Sequence, residues 1–256
     1  MKFIQIRLNF NKTKLKHFIK RQVQKTLGLF NYKLSRTDEF PPDADKKIIE
    51  FIKSSLQFSM TGTERMYLLS QAITNTKINK LEGDFVECGI WMGGNILLFK
   101  QLNDYYNLNK SIFGFDTFDG MTVPEEIDKD YQEISAKKLS DHEKDYLSAG
   151  IEKVRKNILK YSNLDNINLI KGKVEDTLLF EKNLPKKISI LRLDTDWYAS
   201  TKVELEILYP RLVHGGVLII DDYGHWKGAR KAVDEFFGEK KWLHVVDYSC
   251  RYLIKN

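Results

Sequence analysis

The chain has 256 residues, of which 41 are Lys or Arg and 35 are Asp or Glu, so its formal net charge is +6. Its 42% hydrophobic and 12% aromatic residues suffice for a sizeable core and exclude a wholly disordered or fibrous protein. Two cysteines cannot form a disulfide framework, and no apolar stretch approaches the roughly 18 residues of a membrane span, so we expect a globular protein in a reducing, cytoplasmic setting.

The positive charge is concentrated at the N-terminus, where we predict a separate, partly helical arm over residues 1–39. Residues 1–37 contain ten basic side chains and no acidic one. Apolar residues recur between them at helical spacing, namely at Leu15, Phe18, Ile19, Val23 and Leu27. Such a basic amphipathic helix can lie on the anionic inner face of a membrane or on nucleic acid, or its apolar side can pack on the body of the protein or on a second subunit. The sequence leaves these alternatives open.

A second domain over residues 40–256 is predicted to begin at the linker Phe40-Pro41-Pro42-Asp43, because consecutive prolines end a helix. Helical patterns come first, and short apolar runs then alternate with further helical patterns. We expect helices at 45–58, 63–76, 94–107, 148–161, 200–212 and 227–237, and strands at 83–89, 112–116, 167–170, 188–194, 217–221 and 242–248. This alternation is typical of an α/β protein with a doubly wound, mostly parallel sheet and helices on both faces.

Residues 121–147 interrupt the alternation. They contain eight acidic and four basic residues with little apolar periodicity. Segments of this length inside a compact α/β domain are often lids or binding loops. We predict a lid-like insertion over the functional site, with a plain surface excursion as the alternative.

Glycines and an acidic residue follow the first two predicted strands, at the sheet edge where doubly wound proteins bind ligands. The first strand runs into Gly89 and then Gly93-Gly94-Asn95, and such glycines allow a tight turn and the close approach of a ligand. Their spacing is not the G-x-G-x-x-G dinucleotide fingerprint. The second strand ends in Asp116, which can accept the ribose hydroxyls of a nucleotide-like cofactor or can cap the following turn.

Carboxylates follow two later strands, at Asp194 and at Asp221-Asp222. If these strands are neighbours, the three side chains converge, and their repulsion raises at least one pKa unless a cation intervenes. An all-oxygen cluster selects a hard cation, Mg²⁺ first, with Ca²⁺ or Mn²⁺ as alternatives. The other interpretation is that these acids cap helices or pair with Arg192 and Arg230.

Five blocks of the sequence resemble the macrocin (TylF/MycF-type) sugar O-methyltransferases. The blocks are GDFVECGIWMGG at 83–94, FDTFDGM at 115–121, GKVEDT at 172–177, LRLDTDWYAST at 191–201 and DDYGHW at 221–226. The likeness is collinear from about Phe40 to Tyr248. It implies the seven-stranded, Rossmann-like fold of class I methyltransferases with an N-terminal helical extension. It also implies S-adenosylmethionine as methyl donor and a divalent metal at Asp194, Asp221 and Asp222.

The resemblance assigns cofactor contacts by matching position. It places Glu87, Gly89, Gly93, Gly94 and Asn95 at the methionine end, Asp116 at the ribose, Phe118, Glu175 and Asp176 near the adenine, and Met60 and Thr61 at an N-terminal contact. Thr117, which follows Asp116, is also assigned to the cofactor site. These twelve residues are the predicted cofactor site.

The predicted reaction is Mg²⁺-dependent transfer of a methyl group from S-adenosylmethionine to a hydroxyl of a sugar or glycan. Asp194 can serve as both metal ligand and general base, and His225 is the alternative base; Asp196 is a fourth candidate ligand. We expect a sugar or glycan acceptor, a homo-oligomer, and no nucleic-acid partner. The sequence leaves open whether the acceptor is nucleotide-linked, lipid-linked or a secondary metabolite. The alternatives are a nicotinamide-dependent oxidoreductase, against which the glycine spacing and the carboxylates argue, and a non-catalytic binding module that uses the basic arm.

Overall fold

The computed structural model describes residues 40–138, 147–238 and 242–256, together with 19, 21–23, 25, 26 and 29 of the arm. The chain divides into two units, Met1–Glu39 and Phe40–Asn256. In the first unit, residues 19, 21–23, 25 and 26 are helical, and the side chains of Ile19 and Val23 are exposed. The other three residues of the predicted apolar stripe lie outside the described residues.

The second unit is built on a seven-stranded sheet. Its strands are β1 (Asp84–Cys88), β2 (Ile112–Asp116), β3 (Ile167–Lys171), β4 (Ile188–Leu193), β5 (Leu212–Ile220), β6 (His244–Val245) and β7 (Arg251–Ile254). Their order is β3-β2-β1-β4-β5-β7-β6, with β1 to β5 parallel and β7 antiparallel to both of its neighbours. The predicted doubly wound, mostly parallel sheet is confirmed.

Helices cover both faces of this sheet. They are α1 (Lys46–Ser55), α2 (Thr63–Ile78), α3 (Gly94–Tyr105), α4 (Ile151–Leu159), α5 (Val174–Thr177), α6 (Tyr198–Leu208) and α7 (Lys227–Phe237), with 3₁₀ turns at Leu56–Phe58, Glu181–Asn183 and Tyr209–Arg211. Alternate strand residues enter opposite cores: Phe85 packs with α1 to α4, and Val86 packs with α5 to α7. Because both faces are buried, the central strands read as nearly continuous apolar runs. Among the described residues, no helix is long and apolar enough to span a bilayer.

The C-terminal strands differ from the sequence prediction. A strand was expected over 242–248, whereas β6 covers only His244–Val245, and β7 was not predicted from the apolar pattern. The reason is a turn centred on Asp247, whose side chain accepts hydrogen bonds from the backbone N–H groups of Ser249 and Cys250 at 2.9 and 2.8 Å. An Asp side chain that bonds the backbone two or three residues later breaks a strand in this way.

The described part of the 121–147 segment, residues 121–138 and 147, packs against the start of α6. The buried Asp128 carboxylate accepts hydrogen bonds from the backbone N–H groups of Tyr198 at 2.9 Å and Glu125 at 2.8 Å. It thereby caps α6 from a distant part of the chain. Trp197 Nε1 donates to the carbonyl oxygen of Thr122 at 3.1 Å. Residues 139–146 lie outside the described residues, so the lid remains a prediction.

Candidate active site at the carboxyl ends of the strands

A cavity of about 670 Å³ lies at the carboxyl ends of β1 to β5. Ligand pockets typically have volumes of about 300–1,000 Å³, and the strand order reverses here between β1 and β4, where doubly wound proteins bind ligands. Ten of the predicted site residues line it: Met60, Thr61, Gly89, Asn95, Asp116, Thr117, Glu175, Asp194, Asp221 and Asp222. The structure therefore brings most of the predicted site together.

The other predicted cofactor residues do not line this cavity. Glu87 and Phe118 are fully buried, and Asp176 is exposed on α5. Gly93 and Gly94 begin α3, and a Cβ on Gly94 would lie only 2.6 Å from the carbonyl oxygen of Ser55. Gly94 is thus explained by the close packing of α3 against the end of α1.

Gly89 joins the ends of β1 and β4. Its φ is +80°, and a Cβ there would lie 1.9 Å from the carbonyl oxygen of Asp194. Any side chain would therefore push the two strand ends apart. Only glycine fits here, because the turn that follows β1 lies directly against the backbone of Asp194, the residue that follows β4.

Strained backbone conformations surround the cavity. Trp91, Phe118 and Asp196 have φ angles of +44°, +55° and +67°, in the left-handed region that residues other than glycine rarely adopt. They follow the carboxyl ends of β1, β2 and β4 respectively. Such residues cost on the order of 1–3 kcal/mol each and cluster at functional sites.

Asp116 stabilises the turns that follow β1 and β2 at the border of the cavity by accepting their backbone hydrogen bonds. Its Oδ2 accepts hydrogen bonds from the backbone N–H groups of Ile90 at 2.8 Å and Trp91 at 3.0 Å, and its Oδ1 accepts one from Phe118 at 2.7 Å. The hydroxyl of Thr117 lies 3.4 Å from Oδ1 and also contacts the carbonyl oxygen of Gly120. A carboxylate has about four acceptor positions, so a ligand hydroxyl can occupy the fourth only in place of Thr117. Both sequence interpretations of Asp116 are therefore compatible with its contacts, since it stabilises turns and also lines the cavity.

Three buried oxygen atoms beside the cavity have no hydrogen-bond partner among the described residues: Oε2 of Glu87, Oδ1 of Asn95 and Oε2 of Glu175. Glu87 Oε1 accepts a hydrogen bond from Asn95 Nδ2 at 2.7 Å, which holds this pair together. Burial raises the pKa of Glu87 to about 7. A buried polar group without a partner costs about 1–3 kcal/mol, so these oxygens are suited to accept hydrogen bonds from a ligand.

Arg192 on β4 is a buried cation that joins three strands. Its Nη1 lies 2.6 Å from both Glu87 Oε1 and Asp194 Oδ2, and its Nη2 contacts Asp221 Oδ1 and lies 3.1 Å from Thr61 Oγ1. Only 1% of Arg192 is exposed. Of the two sequence interpretations of the acids, pairing with Arg192 therefore applies to Asp194 and Asp221.

Arg65 on α2 was missed by the sequence analysis, although it lines the cavity. Its Nη1 contacts Asp221 Oδ2, and its Nε lies 2.6 Å from Asp247 Oδ2. A basic residue in the first turn of a helix is unfavourable next to the positive end of the helix dipole, and that signal could have drawn attention to it. Asp221 is thus held by two guanidinium groups.

The carboxylates of Asp194, Asp221 and Asp222 form a cluster. One oxygen from each lies within 4.8 Å of the others. Burial raises the pKa of Asp194, and it raises the pKa of Asp221 to about 6 and that of neighbouring Asp196 to about 7. Among the described residues, the guanidiniums of Arg192 and Arg65 contact Asp194 and Asp221 of this cluster. The four carboxylates outnumber these two guanidiniums, so a cation could neutralise the excess of negative charge.

His225 lies outside the cavity lining, among aromatic rings. Its imidazole makes edge contacts with Tyr131, Trp226 and Tyr248, and its Nδ1 lies 3.4 Å from the hydroxyl of Tyr248. Burial lowers the pKa of His225.

Trp226 and Trp197 line the cavity, but the sequence analysis assigned them no role. Each tryptophan follows the acidic residues at the end of a strand by a few positions. That position in the sequence is the signal that could have pointed to them.

Comparison with known proteins shows which protein family this chain resembles. A family model described as macrocin-O-methyltransferase (TylF) matches residues 7–255. The 8-demethyl-8-(2,3-dimethoxy-alpha-L-rhamnosyl)-tetracenomycin-C 4'-O-methyltransferase of Streptomyces olivaceus is 30% identical over 200 residues, which cover 77% of this chain and 74% of that protein. The demethyldecarbamoylnovobiocin O-methyltransferase of Streptomyces niveus is 30% identical over 182 residues, 70% of this chain and 67% of that protein. The structure of the O-methyltransferase NovP superposes with a TM-score of 0.68 at 27% identity, covering 77% of this chain and 82% of that one.

Proposed function

The chain belongs to the macrocin O-methyltransferase (TylF) family, and from this premise we propose that it transfers a methyl group from S-adenosylmethionine to a hydroxyl of a sugar or glycan with the help of Mg²⁺. The supporting observation is that the glycine turn, Asp116 and the carboxylate cluster border one cavity. The relative from Streptomyces olivaceus is named for methylating a rhamnosyl compound, which favours a sugar acceptor.

The residues around the cavity fit S-adenosylmethionine. When bound, this cofactor supplies an activated methyl group whose sulfur leaves as a neutral thioether. The unpartnered Oδ1 of Asn95, which lines the cavity, suits an ammonium donor at the methionine end, and the unpartnered oxygen of Glu175 suits an amino donor at the adenine end. Glu87 is fully buried and orients Asn95 by accepting its hydrogen bond. Asp116 lines the cavity, and a ribose hydroxyl can bond to it in place of the 3.4 Å contact from Thr117.

The donor set of the carboxylate cluster fits a hard divalent cation. When bound, Mg²⁺ supplies positive charge that lowers the pKa of a nearby hydroxyl. The carboxylate oxygens of Asp194, Asp221 and Asp222 lie within 4.8 Å of one another, so these three residues would hold the ion.

Asp194 is the proposed general base. Its carboxylate lines the cavity, Arg192 fixes its orientation, and burial raises its pKa towards the value that suits a base at neutral pH. The hydroxyl proton passes to this carboxylate as the new oxygen–carbon bond forms and the sulfur–carbon bond breaks. The cavity walls would exclude water and would hold the acceptor hydroxyl beside Asp194, which spares the cost of bringing the reactants together from solution. His225 is the alternative base.

The test is a methyl-transfer assay with labelled S-adenosylmethionine and a panel of methyl and p-nitrophenyl pyranosides of L-rhamnose, D-glucose and D-galactose, with Mg²⁺ and with EDTA. We expect labelled glycoside only with Mg²⁺. Cofactor binding without transfer to any sugar would reject the sugar acceptor and keep methyl transfer. Binding of a nicotinamide dinucleotide in place of S-adenosylmethionine would reject both.

A further inference from the structure

A continuous set of aromatic rings leads from the cavity to the surface. Trp197 and Trp226 contact each other with ring centroids 4.9 Å apart, and Trp226 contacts His225 at 4.8 Å. His225 in turn contacts Tyr131 at 5.6 Å and Tyr248 at 5.8 Å. The two tryptophans are 6% and 9% exposed, and Tyr131 and Tyr248 are 53% and 67% exposed. We call these five residues the aromatic strip.

The outer part of the strip is held in place by its backbone. The loop of Tyr248 bonds the loop of His225 through Gly224, whose N–H donates to the carbonyl oxygen of Ser249 at 2.8 Å, and a Cβ on Gly224 would lie 2.1 Å from the carbonyl oxygen of Tyr248. Asp130, next to Tyr131, forms a backbone bridge with Trp226. Tyrosines on a fixed backbone give a large contact area at low cost in conformational entropy.

The charged side chains around the outer strip are held by other groups of the protein. Arg65, whose guanidinium lies 6.0 Å from the Tyr248 ring, contacts Asp221 and Asp247. Lys227, next to Trp226, contacts Glu133. Asp130, next to Tyr131, is buried, and its Oδ1 accepts hydrogen bonds from the backbone N–H groups of residues 132 and 134 at 2.8 Å. The exposed part of the strip therefore consists of the Tyr131 and Tyr248 rings with their polar hydroxyls, and this chemistry matches an uncharged ring with one apolar face.

We propose that Tyr131 and Tyr248, on either side of His225, bind the ring attached to the methylated sugar, so that they determine which acceptors are accepted. This inference rests on the proposed function, because the hydroxyl to be methylated has to lie at Asp194. Its position there sets the direction in which the rest of the bound acceptor extends out of the cavity. Trp226 lines the cavity and contacts His225, so the rest of the acceptor lies along the strip. The occupant is an uncharged ring, which can be an aryl aglycone or a second sugar.

The test compares acceptors that differ only in that ring. For wild type we expect the KM of p-nitrophenyl α-L-rhamnopyranoside to be roughly tenfold lower than that of the methyl glycoside, the size of effect that one or two aromatic contacts give. The double variant Tyr131→Ala/Tyr248→Ala should bring the KM ratio close to one. The matching Phe pair keeps the ring faces and should retain the ratio. Tyr105→Ala, an exposed tyrosine at the far end of α3, is the control. A rhamnosyl disaccharide in place of the aryl glycoside distinguishes the two kinds of ring.

A binding measurement separates this inference from the proposed function. Saturation-transfer difference NMR on protein loaded with S-adenosylhomocysteine should show saturation of the p-nitrophenyl ring that the alanine pair removes. Ring saturation lost in the alanine pair, with no methyl transfer to any glycoside, would refute the proposed function and leave the ring site standing. Methyl transfer with the same KM ratio in wild type and the alanine pair, or with no preference in wild type, would overturn the ring site alone.

Discussion

At the scale of single residues, Arg192 is a cation that pairs with several acidic side chains of the site. It contacts acids from three strands, Glu87, Asp194 and Asp221, and a buried cation is tolerated only when it is paired in this way. The acids could be predicted from the sequence, because a carboxylate that directly follows a buried strand must lie at the sheet edge. Their pairing with Arg65 could not, since α2 precedes the whole sheet and the contact depends on how the helix packs.

We predict that Asp194 contributes more to catalysis than His225. Asp194→Ala should lower kcat/KM by more than the roughly 10² to 10⁴ expected of a general base, because a proposed metal ligand is also lost. His225→Ala should have a smaller effect, since His225 lies outside the cavity lining. Steady-state kinetics at saturating Mg²⁺ measure both. An inactive His225→Ala enzyme beside an active Asp194→Asn enzyme would reverse the two roles.

We predict that the carboxylate cluster binds a divalent cation. EDTA should abolish methyl transfer and Mg²⁺ should restore it, and Asp221→Asn should weaken Mn²⁺ binding measured by titration calorimetry, because one of three ligands is lost. The matched control is Asp104→Asn, which changes an exposed carboxylate on α3 that pairs with Lys100. Full activity in EDTA, or equal Mn²⁺ affinity in the two variants, would contradict the metal assignment.

At the scale of elements, the strands that bear the site were predictable and the contacts between distant segments were not. Buried parallel strands read as apolar runs, so β1, β2 and β4 stand out in the sequence. The turn at Asp247 is a local side-chain effect that interrupts an otherwise strand-like pattern. The capping of α6 could not be predicted from the sequence for another reason. The acceptor, Asp128, precedes the donor, the N–H group of Tyr198, by 70 residues.

We predict that Asp128 couples the 121–138 segment to α6. Asp128→Ala removes the acceptor for two backbone N–H groups, so it should lower the free energy of unfolding by about 1–3 kcal/mol. It should also raise the KM of the acceptor, because Met121, Val123 and Ala136 of this segment line the cavity. Urea denaturation and kinetics measure the two effects. Glu126→Ala, an exposed neighbour, is the control, and equal stability of the two variants would refute the coupling.

At the scale of the whole molecule, charge separates the two units. Residues 1–37 contain ten basic side chains and no acidic ones. With Asp38 and Glu39 included, the first unit has a formal charge of 10 − 2 = +8 and the second has 31 − 33 = −2. The described part of the arm is helical with Ile19 and Val23 exposed. The membrane and subunit interpretations of the arm fall mostly on residues outside the described set, and both remain predictions.

We predict that the arm mediates subunit association. Removing residues 1–37 should lower the mass in solution from dimer to monomer, as measured by light scattering, since an apolar helix side is covered in the assembly. Neither the full-length protein nor the protein without residues 1–37 should sediment with anionic liposomes. Sedimentation that is lost at high salt and on truncation, but absent with neutral phosphatidylcholine vesicles, would instead identify a membrane anchor, to which each lysine adds on the order of 1 kcal/mol.

The position of Arg192 also constrains the order in which the protein folds. Its partners Glu87 and Asp221 lie 105 residues before it and 29 residues after it in the chain, so none of these contacts can form locally. Until β1, β4 and β5 have paired, the guanidinium has to stay hydrated, and the centre of the sheet cannot close around it. The three strands are therefore expected to assemble in one cooperative step late in folding, because contacts of such long sequence separation form slowly. A nascent chain that still lacks β5 and Asp221 has an incomplete carboxylate cluster, and its Arg192 lacks one of its partners.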